Sequence, residues 1–195
     1  MYYIVGLGNP GEEYTNTRHN TGRIVLSKFL KDNLEGELKD SKKYKALVGE
    51  GKIGKEKFSL LFPETFMNKS GTSLPALVTS VKKANNLIVV YDDLDLPIGK
   101  IKISFNRGSG GHRGIESIIR SIKTREFIRI RVGISPAAPS GKIKKPQGEK
   151  DVEKLILGEF SKKEEEIIKK TTKEVAQALE VILEDGYEAG MTRFN

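Results

Sequence analysis

The chain has only two histidines, His19 and His112. His19 lies in the polar segment Tyr14-Thr-Asn-Thr-Arg-His-Asn-Thr-Gly22, off any apolar stripe. A side chain that titrates near neutral pH in such a segment suits general-base work. The acidic stretch Asp92-Asp93-Leu94-Asp95 follows the apolar run at 87–91. In α/β sheets, ligands bind beyond the carboxyl ends of strands. Asp92 sits at one such end, and the loop bearing Asn9 and His19 follows another, after the apolar run at 2–7. If the two strands are neighbours, a carboxylate faces an imidazole, fixing its tautomer and favouring its protonated form. The same acidic stretch has two rival readings, a Mg²⁺ site and a solvated acidic turn.

Three further loops carry chemistry-bearing residues. Phe66-Met67-Asn68-Lys69-Ser70-Gly71 places an aromatic and an amide after the apolar run at 58–62. Gly108-Ser-Gly-Gly-His-Arg-Gly114 exposes backbone N–H groups ahead of a helix, a cradle for phosphate or sugar. Gly6-Leu-Gly-Asn-Pro-Gly11 fits the spacing of a dinucleotide fingerprint, but Pro10 biases Asn9 away from helix and the next ten residues are not helical. The pyrophosphate-holding helix is therefore not expected, and no cofactor is. No serine–histidine pair stands at a nucleophile elbow, and there is no cysteine. Water activated by a histidine is the nucleophile these residues favour. The missing cysteines exclude a disulfide scaffold, a thiolate metal site and thiol catalysis.

The elements that must position these loops follow from periodicity. Strands are expected at 2–7, 44–48, 58–62, 87–91, 100–105 and 127–134, the last two alternating apolar with basic residues. Residues 49–54 read as a turn. Helices are expected at 22–34, at 71–84 with Pro75 in its first turn, and near 115–123. The last helix opens on the capping box Ser161-Lys-Lys-Glu164, carries the stripe Ile168, Val175, Leu179, Ile182 and ends near Gly186. Residues 135–150, rich in proline and lysine without an apolar period, read as an exposed basic loop, a possible lid. Strands interleaved with helices predict a single α/β layered domain over 1–195, with a twisted mixed β-sheet flanked by helices.

The 195 residues are 37 % hydrophobic and 31 % charged, as in a folded soluble chain. No apolar run approaches the roughly 20 residues of a membrane span, and no signal peptide is visible at the start. A cytoplasmic location without membrane contact is expected. The net charge of +8 is unevenly spread: residues 99–145 hold 12 Lys/Arg against 2 Asp/Glu. Clustered positive charge is the footprint of a polyanionic partner.

Taken together, Ile4-Val-Gly-Leu-Gly-Asn-Pro-Gly-x-x-Tyr-x-x-Thr-Arg-His-Asn-x-Gly22, Thr65-Phe-Met-Asn-x-Ser-Gly71, Asp92-Asp-Leu-Asp-Leu-Pro97 and Gly108-Ser-Gly-Gly-His112 resemble the bacterial peptidyl-tRNA hydrolase family in order and spacing. So do residues 127–134 and the terminal Met191-Thr-Arg-Phe-Asn195. The resemblance covers nearly the whole chain. It implies a monomeric, metal-independent α/β hydrolase, with no protein partner, that cleaves the ester between a peptide and the 3′ ribose of tRNA, recycling tRNA from prematurely released peptidyl-tRNA. It further implies His19 as the base and Asp92 as its support. Asn9 and Asn68 would hold the peptide–ester end, Asn9 also separating blocked from free aminoacyl-tRNA, and Tyr14 and Phe66 would line the site for the tRNA terminus. One position departs from the pattern: Arg113 stands where the family usually has asparagine. That amide's role does not carry over, and an arginine there suits phosphate instead. Two rival functions remain: a non-catalytic RNA-binding protein, and a Mg²⁺-dependent nuclease using Asp92, Asp93 and Asp95.

Overall fold

The structure is a computed structural model that describes residues 1–137, 143, 144 and 146–195. Seven strands form one mixed sheet: β1 (Tyr2–Gly6), β2 (Lys39–Ser41), β3 (Ala46–Ile53), β4 (Glu56–Pro63), β5 (Leu87–Pro97), β6 (Ile101–Phe105) and β7 (Ile128–Ser135), in the order β2-β3-β4-β1-β5-β7-β6. The central strands β4, β1, β5 and β7 run parallel. β2 and β3 on one side and β6 on the other pair antiparallel. The chain leaves β1 to build one side of the sheet and returns beyond β1 to build the other. β1 and β5 therefore flank a topological switch, where open α/β sheets place their ligands.

Helices cover both faces because alternate strand residues point opposite ways. Ile4, Ile88 and Val90 join one core with Phe29, Ile168, Val175, Leu179 and Ile182. These last belong to α2 (Ser27–Asn33) and α6 (Lys162–Asp185). Val5, Val89 and Tyr91 face the other core with Met67, Leu74, Ile115 and Ile118. That side is covered by the 3₁₀ segment Met67–Ser73 and by α4 (Arg113–Ile122). Each fully buried side chain such as Phe29 or Leu60 contributes roughly 1.5–3 kcal/mol over exposure. The described residues also form α1 (Thr21–Ile24), α3 (Val81–Ala84), α5 (Glu149–Ile156), α7 (Tyr187–Phe194) and the 3₁₀ turns Glu12–Tyr14 and Arg18–Asn20. No helix among the described residues is long and apolar enough to cross a membrane.

Several elements differ from the sequence reading. The helix expected at 22–34 is two, α1 and α2, parted at Val25 and Leu26; β-branched Ile24 and Val25 resist a continuous helix, while Val25, Leu26 and Phe29 all stay buried. β3 runs through 49–53, and only Gly54 (φ +54°) and Lys55 turn the chain. Gly49 and Gly51 are strand residues whose missing side chains admit their neighbours: a Cβ on Gly51 would lie 2.2 Å from the Asn33 carbonyl oxygen. The helix expected at 71–84 is replaced by the 3₁₀ segment and short α3, with Pro75, which donates no amide and disfavours helix at Leu74, standing between them. α5 was not expected at all and takes in the end of the supposed 135–150 loop. Residues 138–142 and 145 of that loop lie outside the described residues.

Candidate active site

β5 continues past Tyr91 to Pro97, so the acidic stretch lies in a strand, with Asp92 beside Val132 of β7. Pairing buries Asp92 to 2 % exposure, which removes the reading of a solvated turn. Its neighbour β1 leads into the loop of Asn9 and then into the 3₁₀ turn Arg18–Asn20. That turn is drawn onto the sheet by Gly22, where a Cβ would lie 2.3 Å from the Val90 carbonyl oxygen. Only a residue without a side chain lets α1 approach so closely.

The result is a buried hydrogen-bonded chain. His19 Nδ1 lies 2.9 Å from Asp92 Oδ2, and His112 Nε2 lies 3.1 Å from Asp92 Oδ1. His112 is the N-cap of α4, and its Nδ1 accepts from the amides of Gly114 and Ile115 at 3.2 and 3.3 Å. With Nδ1 occupied as an acceptor, its proton belongs on Nε2, donated to Asp92. Asp92 thus takes one N–H on each oxygen. Burial raises its carboxyl, but His19 and His112 together hold it well below the usual carboxylate range. For His19, burial acts to lower the imidazole; the charge and hydrogen bond of Asp92 outweigh it, with Arg113 opposing, and the net shift is upward.

His19, Asp92 and His112 bring one donor atom each within 4.8 Å of one another, close enough to suggest a metal. The hydrogen bonds argue otherwise. Ligation through His112 Nε2 would require an imidazole that has lost its proton while Nδ1 still accepts two amides. The geometry fits a carboxylate accepting from two imidazole N–H groups better than a ligand set. Nor do the acidic residues converge on a cation: Asp93 Oδ2 accepts from Arg131 Nε at 2.6 Å, and Asp92 is engaged by both histidines.

The chain opens into a cavity of about 770 Å³ lined by His19, Asp92, Asn9, Tyr14, Phe66 and Asn68 among others. All six residues singled out from sequence meet there. Asn9 is buried and fixed on three sides: its amide donates to Asn20 Oδ1 at 2.8 Å, its carbonyl accepts from Asn20 Nδ2 at 3.0 Å, and its Oδ1 accepts from the Met67 amide at 2.8 Å. The end left for the cavity is the Nδ2 group, a donor. Asn68 and Phe66 are exposed, Phe66 at 56 %. The Tyr14 and Phe66 rings meet edge to face, 6.4 Å apart.

Sequence reasoning missed three participants. His112 stood inside the glycine motif, which was read only as a backbone cradle; being one of just two histidines was the signal available. Arg129, alternating on β7, is fully buried and donates to the carbonyls of Arg107 and Gly108, so it holds the glycine loop in place. α5 supplies a wall through Val152 and Ile156, with Glu149 and Glu153 beside them and Leu157 just past its end. Arg107 and Arg113 line the same cavity.

A family model described as peptidyl-tRNA hydrolase matches residues 3–195. The peptidyl-tRNA hydrolase of Carboxydothermus hydrogenoformans is 43 % identical over 196 residues, spanning 100 % of this chain and 98 % of that one. That of a Thermoanaerobacter species is also 43 % identical, with complete coverage of both. The crystal structure of peptidyl-tRNA hydrolase from Acinetobacter baumannii superposes with a TM-score of 0.87 at 28 % identity, covering 100 % of this chain and 94 % of that one.

Proposed function

The chain belongs to the peptidyl-tRNA hydrolase family, and from that premise we propose that it hydrolyses the ester joining a peptide to the 3′ ribose of tRNA with His19 as general base and Asp92 as its support. It is a hydrolase. The observation that carries the mechanism is the 2.9 Å contact between His19 Nδ1 and Asp92 Oδ2 at the wall of the cavity. With Nδ1 committed to Asp92, Nε2 is the nitrogen left to take a proton from water. That water attacks the acyl carbonyl, and Asp92 stabilises the imidazolium that forms. The imidazolium then returns its proton to the ribose oxygen as the acyl C–O bond breaks, which regenerates His19 while the free acid and the intact tRNA leave. His112 fixes the second oxygen of Asp92 and keeps the carboxylate facing His19.

The carbonyl oxygen gains charge in the transition state and needs donors. The Asn9 and Asn68 amides suit that place, and one such donor is worth roughly 3–4 kcal/mol. A buried Asn9 held by three hydrogen bonds has no freedom to adapt, so it reads the acyl chain by what it can and cannot pair with. A substrate lacking the peptide's first amide leaves polar groups unpaired and is rejected. Tyr14 and Phe66 form a stacking surface for the terminal base, worth roughly 1–3 kcal/mol per base. The basic stretch 99–145 receives the phosphates of the acceptor arm. The enzyme works as a cytoplasmic monomer that recycles tRNA from peptidyl-tRNA released early from ribosomes.

The test compares N-acetylaminoacyl-tRNA with free aminoacyl-tRNA, each with and without EDTA. The blocked substrate should release N-acetylamino acid and full-length tRNA at the same rate in chelator, and the free substrate should be spared. Shortened RNA, or activity abolished by EDTA, would replace the esterase reading with that of a metal-dependent nuclease.

A further inference from the structure

We propose that Arg18 is a positioning residue for the reaction, holding His19 against Asp92 by tying the turn that carries His19 to the junction between α5 and α6. This rests on the reading of His19 as the base. Arg18 does not line the cavity, so it acts through its neighbour and not on substrate.

Its side chain is 10 % exposed; both Nη atoms and the guanidinium face are engaged with that junction, while the buried Nε has no hydrogen-bond partner among the described residues. Nη2 donates to Glu164 Oε2 at 2.8 Å, Nη1 donates to the Glu159 carbonyl, and the guanidinium lies over the Phe160 ring, 5.0 Å from its centre. The Arg18 backbone amide donates to the Gly158 carbonyl at 3.0 Å, and Thr17 bridges Glu159 in antiparallel fashion. Glu164 is itself immobilised: the same carboxylate oxygen accepts from the Ser161 amide and hydroxyl, both at 2.8 Å, in the capping box that opens α6. A cap that serves the helix thus also anchors the catalytic turn.

The anchor matters because the turn Arg18–Asn20 is only three residues long. Holding Arg18 leaves the next residue little freedom to rotate away from β5. The groups that face His19 are Asp92 from β5, and His112 and Arg113 from the start of α4. None of these belongs to α5 or α6; on that side the turn is held by the backbone contacts of Thr17 and Arg18 with Gly158 and Glu159 and by the Arg18 side chain, and substitution of Arg18 removes the side-chain part of that hold. Lysine cannot replace the guanidinium, since one ammonium cannot span the carboxylate, the carbonyl and the ring face together.

The experiment uses Arg18→Lys and Glu164→Gln in the full chain. The readouts are kcat and KM on N-acetylaminoacyl-tRNA, thermal unfolding, and the His19 titration followed by NMR, which two histidines make simple to assign. Arg18→Lys should lower kcat by about tenfold or more with KM within twofold, a range typical for misplaced catalytic groups. The His19 midpoint should fall in step, because the group loses its contact with Asp92. Glu164→Gln should give the same signs at smaller size, and the double variant should be no worse than Arg18→Lys alone. If Arg18→Lys does not fold, Glu164→Gln decides by the same two readouts. An unchanged His19 midpoint in a folded variant, whether or not kcat falls, overturns the proposal. Hydrolysis that survives His19→Asn would instead remove the base reading while leaving the NMR comparison intact, so the two failures are distinct.

Discussion

A base must be both near its acid and held in one tautomer, and here a single carboxylate does both. Asp92 accepts from His19 on one oxygen and from His112 on the other, so it has little freedom to turn away. Replacing His19 with asparagine should lower kcat by roughly 10²–10⁴, the usual share of general-base catalysis, with a small change in thermal unfolding, as measured by single-turnover hydrolysis and calorimetry. The raised His19 predicts the pH dependence. Its free-base form does the chemistry, so activity should fall as pH drops through a value above about 6.5. Asp92→Asn removes the two influences that raise His19 and leaves burial, which lowers it. The rate should drop and the acid limb of kcat/KM should move to lower pH. Arg113→Gln removes an opposing charge and should move that limb upward, so the two variants bracket the parent in one pH–rate series. Stability carries the opposite sign: the protonated His19 pair supports the fold fully below about pH 6.5, and this support is lost as pH rises through the raised value.

Each of these side chains is placed by an element that lies where it does because something small permits it. Gly22 lets α1 rest on the Val90 carbonyl, which brings the His19 turn over the end of β5. Gly71 plays the same part for the 3₁₀ segment of Asn68, where a Cβ would lie 2.1 Å from the Ser117 carbonyl oxygen. Gly22→Ala forces backbone to move and should cost about 3 kcal/mol, the upper end of overpacking, measured by urea unfolding. Because the displaced helix begins beside the base, kcat should fall as well, even at temperatures where the variant is fully folded. These two glycines were visible in the motifs, yet their role was not. In sequence a glycine announces a turn; whether it instead marks a contact between two elements depends on what lies opposite, which for Gly22 is a strand some 70 residues away.

At the scale of the whole molecule, the +8 charge is an asymmetry more than a sum. Some of the basic stretch serves the fold: Arg129 is buried under the glycine loop and Arg131 is paired with Asp93. Of the remaining cations, Arg107 and Arg113 are exposed at the cavity. Binding of the tRNA substrate should weaken steeply with salt, whereas hydrolysis of a short 3′-terminal fragment should change little, because released counterions scale with the phosphates engaged. Equal salt dependence of kcat/KM for the two would remove the phosphate role from this stretch. The class of the fold, its central strands and five residues of the cavity wall, Asn9, His19, Phe66, Asn68 and Asp92, could be read from the residues themselves, whereas Tyr14 entered through the family resemblance. Apolar runs identify strands, and polar residues just beyond them identify the face where a ligand sits. Tertiary structure alone decided that Asp92 is buried within a strand, that His112 engages its second oxygen, and that α5 walls the cavity. Each depends on pairing between distant segments, which local periodicity does not encode: β7 covers Asp92, the amides of α4 set the tautomer of His112, and α5 is held beside the His19 turn by contacts across more than a hundred residues.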